Sequence, residues 1–132
     1  MANTPITSFQ EIEAEWESVL HDSPADTLFL TPQWQKVWWD TFGDGRTMCG
    51  FSYHGTDGAS GGVAAIASLA KSGNTVTFVG SQDTFDYNDF MVRPGFEPIF
   101  FDMLLQCVEK ENCDTMELYS IKESSPTLKH LP

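Results

Sequence analysis

The sequence has few basic residues and few cysteines, and each shortage excludes a class of protein. Seven lysines and arginines stand against 19 aspartates and glutamates, giving a formal net charge of -12 over 132 residues. This charge repels nucleic acid, anionic membranes and polyphosphates, so we exclude nucleic-acid binding. The three cysteines lack C-x-x-C spacing, which argues against a disulfide framework or a structural zinc site. We expect three reduced thiols, with Cys107 in the core.

Long apolar runs and catalytic motifs are missing as well. No segment approaches the roughly 20 apolar residues of a membrane span, and the first ten residues lack a basic start and an apolar core. We therefore expect no membrane partner and a cytoplasmic location. The chain has no Gly-rich phosphate loop, metal-binding helix or nucleophile elbow, and its three histidines lie far apart. The sequence predicts no catalytic residue and no metal site.

Two amphipathic helices are predicted near the start of what we take to be one domain, residues 1–132. Apolar residues recur at helical spacing from Phe9 to Leu20, behind a capping box formed by Ser8 and Glu11. A second helix is predicted from Pro32 to Phe42, with Thr31 as its N-cap and proline at its first position.

Strand patterns follow, and then a long apolar helix. The strands are predicted at 48–54, 63–70, 75–79 and 85–92, as an antiparallel meander of three or four strands. The small, apolar second strand is expected to be buried on both faces. A helix at 96–109, one further strand at 116–121 and the start of another helix at Ser124 complete an α+β fold.

Several segments carry a family resemblance over nearly the whole chain. They are Phe29-Leu30-Thr31-Pro32 leading into Trp34 and Trp38-Trp39, the small-residue strand 63–69, the strand 76–80, Asp86-Tyr87-Asn88-Asp89, and Met116-Glu117-Leu118. They resemble the N-terminal lobe of the tandem GNAT-like proteins known as cellulose-biosynthesis acetyltransferases, relatives of the FemAB-type transferases. The resemblance implies a GNAT-like half-fold, followed by a second lobe that is credited with acyl-CoA binding. The chain is then either a fragment that continues past Pro132 or a natural protein of one lobe.

The resemblance also offers a test for acyl-CoA binding. Active GNAT lobes hold the pyrophosphate on backbone donors where a helix begins after the fourth strand, a place that suits anions. That junction here reads Arg93-Pro94-Gly95-Phe96-Glu97-Pro98. Both prolines lack an N–H group, and Glu97 places a negative charge beside the expected phosphate position. We therefore expect no cofactor for this chain, and acyl-CoA only where a second lobe is present.

Two groups of residues are candidates for an acceptor groove. Asp83, Asp86 and Asp89 are three apart, which does not fit a calcium loop, and most simply form a polar loop. The resemblance instead favours Asp86 and Tyr87 as groove residues, with Asp89 beside them. Trp38 and Trp39, with Trp34 one turn earlier, predict packing on the sheet or on a partner lobe. The alternative is an aromatic wall for a sugar or peptide acceptor.

Three functional hypotheses remain open at this point. The first is a non-catalytic N-terminal GNAT-like lobe that contributes an acceptor groove and an interface to a second GNAT-like lobe. The second is a stand-alone acidic interaction protein that forms a homodimer through an exposed sheet edge. The third is a small active N-acyltransferase, since a fold alone neither confers nor excludes its family's chemistry.

Overall fold

The computed structural model describes residues 2–6, 9–43, 45–54, 62–80 and 87–130. Within these ranges the chain forms four α-helices, eight strands and a 3-10 turn at Leu28–Leu30, so the predicted α+β class is confirmed. The elements are β1 (Ala2–Pro5), α1 (Glu13–Asp22), α2 (Pro32–Phe42), β2 (Thr47–Met48), β3 (Phe51–His54), β4 (Val63–Ala67), β5 (Leu69–Ser72), β6 (Thr75–Phe78), β7 (Met91–Val92), α3 (Glu97–Lys110), β8 (Thr115–Glu117) and α4 (Pro126–His130). None of the described helices combines the length and apolar composition needed to cross a bilayer.

The strands form two four-stranded sheets, in the orders β1-β3-β4-β7 and β2-β5-β6-β8. The two sheets share continuous stretches of chain, because only Ser68 separates β4 from β5 and only two residues separate β2 from β3. Hydrogen bonds join these breaks: the Cys49 N–H donates to the Leu69 carbonyl at 3.0 Å, and the Val79 N–H donates to the Ser68 carbonyl at 3.1 Å. The breaks therefore lie side by side, and the chain passes from one sheet to the other along one line.

The meander prediction holds for the central strands and needs two corrections. An unpredicted strand, β1, pairs antiparallel with β3. The last strand, β8, pairs with β6 in parallel, with Thr75 opposite Thr115. A parallel pair needs a long crossover, and α3 supplies it. The sheet is thus mixed rather than a simple antiparallel meander.

Two apolar layers cover the opposite faces of the strands. On one face α1 and α2 contribute Trp16, Val19, Leu20 and Trp38, which pack with Ile66, Ala70, Val79 and Met91. On the other face α3 contributes Phe100, Phe101 and Leu104, which pack with Phe51, Phe78 and Phe90. All five residues of β4 are buried, so the predicted burial of this strand on both faces is confirmed.

The helix predictions differ in accuracy. α2 has the predicted bounds, and the Trp34 N–H donates to the Thr31 hydroxyl at 3.3 Å as expected of an N-cap. α3 begins and ends one residue later than predicted. α1 begins at Glu13 rather than Phe9, and Ile12 precedes it without a side-chain cap. Ser8 of the predicted capping box lies outside the described residues. Phe9 packs on Trp16, with ring centroids 5.4 Å apart, so contact with the core holds the turn that precedes α1.

Two strand predictions were too long, each for a local reason. Of the strand predicted at 85–92, residues 85 and 86 lie outside the described residues and only Met91–Val92 is a strand. The Asn88 and Asp89 side chains accept the backbone N–H groups of the residues that follow them, which competes with strand pairing. β8 ends at Glu117, and Ser120 has a left-handed φ of 61° that extended chain does not adopt.

The three cysteines are free thiols, as predicted. The prediction that Cys107 lies in the core was wrong, because its side chain is only partly buried at the edge of the α3 layer.

Gly50 provides a test of the junction between the two sheets. A Cβ atom at this position would overlap the Ala67 carbonyl oxygen and come within 3.0 Å of the Leu69 nitrogen, both backbone atoms. We expect Gly50→Ala to lower the free energy of unfolding by about 1–3 kcal/mol, the usual cost of overpacking. Urea unfolding measures the change. Gly73→Asn is the control, since Gly73 lies in a turn with open space around it and a φ of 60° that asparagine tolerates. Equal stability of the two variants would contradict a tight junction at Gly50.

Candidate functional site

Asp89 anchors the C-terminal segment of the chain. Its Oδ1 accepts from the Phe90 N–H at 2.8 Å and from the Thr127 hydroxyl at 2.5 Å, and its Oδ2 accepts from the Ser125 hydroxyl. All three side chains in this cluster are buried. Ser125 also caps α4, because its hydroxyl accepts the Thr127 N–H at 3.1 Å. The carboxylate therefore holds the start of α4 against the segment before β7.

Burial raises the pKa of Asp89 above its ordinary value of 3.8. The hydrogen bonds from Ser125, Thr127 and the Phe90 backbone oppose this shift, as does the positive charge of Lys122. A carboxylate enclosed in this way suits a structural role. The geometry adds no support for Asp89 as a groove residue, and that role stays a prediction.

The residues before Asp89 differ in exposure. Tyr87 is about half exposed, and the Lys122 ammonium lies 4.6 Å from the centre of its ring. Asn88 is buried, and it joins two parts of the chain: its side-chain amide donates to the Val79 carbonyl at 3.2 Å and its backbone N–H to the Ser120 carbonyl at 3.0 Å. Asp86 lies outside the described residues. Among residues 87–89, which the structure describes, Tyr87 thus presents its side chain to solvent while Asn88 and Asp89 are buried.

The outer side of α2 carries an extended apolar surface. Leu28, Val37 and Phe42 are 62%, 67% and 55% exposed. With Trp34 and Trp38 they line an open groove of about 490 Å³, whose lining is almost wholly apolar. We call this surface the α2 groove; Thr31, Gln33 and Thr41 complete its lining. A contiguous apolar surface of this kind commonly marks an interaction site.

The two predicted tryptophans occupy different positions. Trp38 is buried against the sheet and reaches the α2 groove at its edge. Trp39 is partly buried and lies against Gly43, where an added Cβ atom would be 2.8 Å from the indole ring. Tyr87 and Asp89 line a small cleft with Leu30 and Lys122, whereas Trp38 lines the α2 groove. The acceptor groove suggested by the sequence stays a prediction.

The start of α3 is occupied by the chain's own groups. The Arg93 guanidinium donates to the Val63 carbonyl at 3.0 Å and to the Ser18 hydroxyl at 2.9 Å, and it forms an ion pair with Asp22. The Gly95 N–H, a donor that an anion would need, donates to the Glu97 carboxylate at 2.9 Å. Arg93 therefore ties α1 to the end of β7 rather than facing solvent.

A second cavity, of about 270 Å³, lies between α3 and the strands. Cys49 and Cys107 line it, with Lys110 and Glu111 at one end. Burial raises the pKa of the Cys49 thiol to about 12, and the nearby Glu111 and Cys113 add to the effect. A thiol with such a pKa stays protonated at neutral pH and is a poor nucleophile or metal ligand.

No reacting group emerges from these regions. Among the described ranges, no three His, Cys, Asp or Glu side chains lie close enough to hold a metal ion. Sequence reasoning missed Ser125 and Thr127 as partners of Asp89, and Gln35 and Arg46 beside Trp38. The segment Ser124-Ser125-Pro126 indicated the start of a helix, but nothing in the sequence pointed across 36 residues to Asp89.

Comparison with known proteins does not identify a family for this chain. Protein-family models, curated proteins and solved structures were each searched with this chain, and none of them matches it.

The raised pKa of Asp89 predicts the direction of a pH effect on stability. A folded-state pKa above the unfolded value, about 3.9, means that the native state binds more protons, so this contribution is lost as the pH rises through the folded pKa. We expect the free energy of unfolding of the wild type, relative to Asp89→Asn, to fall between acidic and neutral pH. Urea unfolding at several pH values measures the difference. Asp102→Asn, at an exposed position on α3, is the control. A relative gain for the wild type at higher pH would show that Ser125, Thr127 and Lys122 hold the pKa down.

Proposed function

We propose that the chain is a non-catalytic GNAT-like lobe that binds a second acyltransferase lobe through the α2 groove. The observation that carries this proposal is the exposure of three large apolar side chains on one side of α2, at Leu28, Val37 and Phe42. This surface is suited to binding, since a contiguous exposed apolar patch commonly marks an interaction site.

The order of the strands supports the kinship with acyltransferases. Two helices precede the central strands, which pair antiparallel; a helix then crosses over to β8, which lies parallel to β6. An order of two helices, antiparallel strands, a crossover helix and a further strand is the one expected of a GNAT-like lobe. The pairing of β6 with β8 ends at Thr77 and Glu117, and beyond it Asn88 donates hydrogen bonds to the carbonyls of both Val79 and Ser120.

The start of α3 supports a non-catalytic role. Acyl-CoA binding at this position would need free backbone donors and a free cation. Glu97 accepts the Gly95 N–H, while Asp22 and Ser18 take up the Arg93 guanidinium. The chain would have to release these contacts before a pyrophosphate could bind.

Charge favours a second lobe over a second copy as the occupant of the α2 groove. Gln33 lines the groove, and its amide donates to the carboxylates of Glu13 and Glu17 at 2.8 and 3.0 Å. The rim beside α1 is therefore acidic, and the whole chain carries a net charge of -12. Two copies would bring like charges together, which costs free energy. The expected partner lobe presents an apolar segment flanked by basic side chains.

The alternative is the homodimer formed by sheet edges. The edge strands are β1 and β7 in one sheet and β2 and β8 in the other. They have four, two, two and three residues, and Thr115 and Glu117 of β8 are exposed. Short edge strands that carry charge discourage the addition of another strand. We therefore favour the α2 groove over the sheet edges as the interaction surface.

Acetyl-CoA provides the first test. We expect no saturable heat when acetyl-CoA is titrated into the chain in a calorimeter at low salt, because the donors at the start of α3 are already bonded. Binding in the micromolar range would contradict the non-catalytic role and favour a small active N-acyltransferase.

The α2 groove provides the second test. Val37→Asp places a charge in the groove at a position 67% exposed, so we expect the stability to change by no more than about 0.5 kcal/mol. We expect the variant to lose most of the fluorescence enhancement of Nile red, an uncharged apolar dye that the wild type binds there. Leu105→Asp, at a position on α3 that is 50% exposed, makes the same charge change elsewhere and should keep it.

Light scattering distinguishes a second lobe from a second copy of this chain as the occupant of the α2 groove. We expect a monomer, because the partner is a different lobe. A dimer that Val37→Asp dissociates would identify a second copy as the occupant, and equal dye binding by all three proteins would remove the α2 groove as a binding surface.

A further inference from the structure

The cavity beside α3 has a volume of about 270 Å³ and lies where the two sheets meet. Its lining comes from β1, β2, β3, β5, β6 and α3. Protein interiors contain few voids larger than a water molecule, and an apolar cavity of about 150 Å³ is enough to bind benzene. A space of this size between two sheets and a helix therefore suits a small ligand.

The last apolar turn of α3 does not close onto the strands. Leu104 is fully buried, whereas Cys107 and Val108, one turn later on the same face, are only partly buried and line the cavity. Gly50, between β2 and β3, also lines the cavity and contributes no side chain to fill it. The strands supply the apolar side chains of the remaining wall, which include Phe51, Leu69 and Val76.

Three of the residues that line the cavity carry sulfur: Met48, Cys49 and Cys107. Burial raises the pKa of the Cys49 thiol to about 12, so this sulfur is uncharged at neutral pH. Sulfur is polarisable, and thioether sulfur in particular makes favourable contacts with aromatic rings. The lining therefore favours an aromatic occupant over a saturated one of the same shape.

The charges at the end of the cavity that Lys110 and Glu111 line are of both signs. The Lys71 ammonium donates to the Glu111 carbonyl at 2.7 Å and lies 3.9 Å from the Glu111 carboxylate. These two side chains act on the pKa of Cys49 in opposite directions, since Glu111 raises it and Lys71 lowers it. An anion would meet the carboxylate and a cation would meet the lysines. This end of the cavity therefore favours an uncharged ligand.

We propose that the cavity beside α3 binds a small uncharged aromatic molecule of two fused rings. Its rings lie between α3 and the junction of the sheets, against Met48, Cys49 and Cys107. The volume of about 270 Å³ exceeds the roughly 150 Å³ that suffices for benzene, so a second ring can be accommodated. Because α2 packs on the opposite face of the strands, the site neither rests on the proposed lobe interface nor requires a second lobe.

Three probes test the aromatic ring and the charge separately. Naphthalene-2-methanol is aromatic and uncharged, decahydronaphthalene-2-methanol has the same carbon skeleton without aromatic rings, and 2-naphthoate carries a negative charge. Each probe is titrated into the full ¹⁵N-labelled chain at neutral pH, and the backbone amide signals of Gly50 and Val108 are followed by NMR. We expect saturable shifts with the aromatic alcohol. The Kd of each of the other two probes should be about threefold or more higher, because the sulfur–ring contacts are lost or a charge is buried.

Variants assign the binding to the cavity. We expect Cys107→Phe, which fills the cavity from α3, to remove the saturable shifts. Leu105→Phe introduces the same side chain on the same helix, at a position 50% exposed, and should leave binding unaltered. Met48→Leu keeps the apolar volume, a change that cores tolerate, but removes one sulfur. It should reduce the preference for the aromatic over the saturated alcohol, and it tests the site even where Cys107→Phe does not fold.

Five results would overturn the proposal. The absence of saturable shifts at Gly50 and Val108 would show that the cavity holds only water. Equal affinity for the two alcohols would show that the aromatic ring is not recognised, and equal affinity for 2-naphthoate would show that charge is not excluded. Undiminished binding by the folded Cys107→Phe variant would place the ligand elsewhere. An unchanged preference in Met48→Leu would remove the sulfur contact as its cause.

Discussion

The break in the strands at Ser68 is the constraint on which the rest of the architecture depends. Its carbonyl accepts the Val79 N–H just after the end of β6, and its hydroxyl donates to Gln35, which sets the position of α2. The Val79 carbonyl in turn accepts from Asn88, and the next residue, Asp89, holds α4. A single interruption in a buried strand thus positions a helix on one side and the C-terminal segment on the other.

Trp38 links the sheet to the surface of α2. It is buried against the strands, it lines the α2 groove, and the Arg46 guanidinium lies 5.2 Å from the centre of its ring. A partner in the proposed α2 groove would therefore contact an indole ring that the core and Arg46 already hold in place.

The sequence predicted the elements that depend on local periodicity and missed those that depend on distant contacts. α2 and α3 were accurate because their caps and apolar spacing lie within the helices themselves. The pairing of β1 with β3 joins residues about fifty positions apart, with Ala2 opposite His54, and has no local signal. The burial of Asp89 was not predicted, for the same reason. Polar residues at 83, 86 and 89 suggest an exposed loop, whereas Asp89 is buried because hydroxyls 36 and 38 residues away satisfy it.

The burial of the Cys49 thiol has a practical consequence for covalent labelling. Because its pKa is raised to about 12, the sulfur carries almost no thiolate at neutral pH, and alkylating reagents act on the thiolate. Cys49 lies where β2 meets the α3 layer, beside the junction between the two sheets. Alkylation of Cys49 at neutral pH is therefore expected to be slow, and a structural change that exposes the sulfur to water would lower its pKa and speed the reaction.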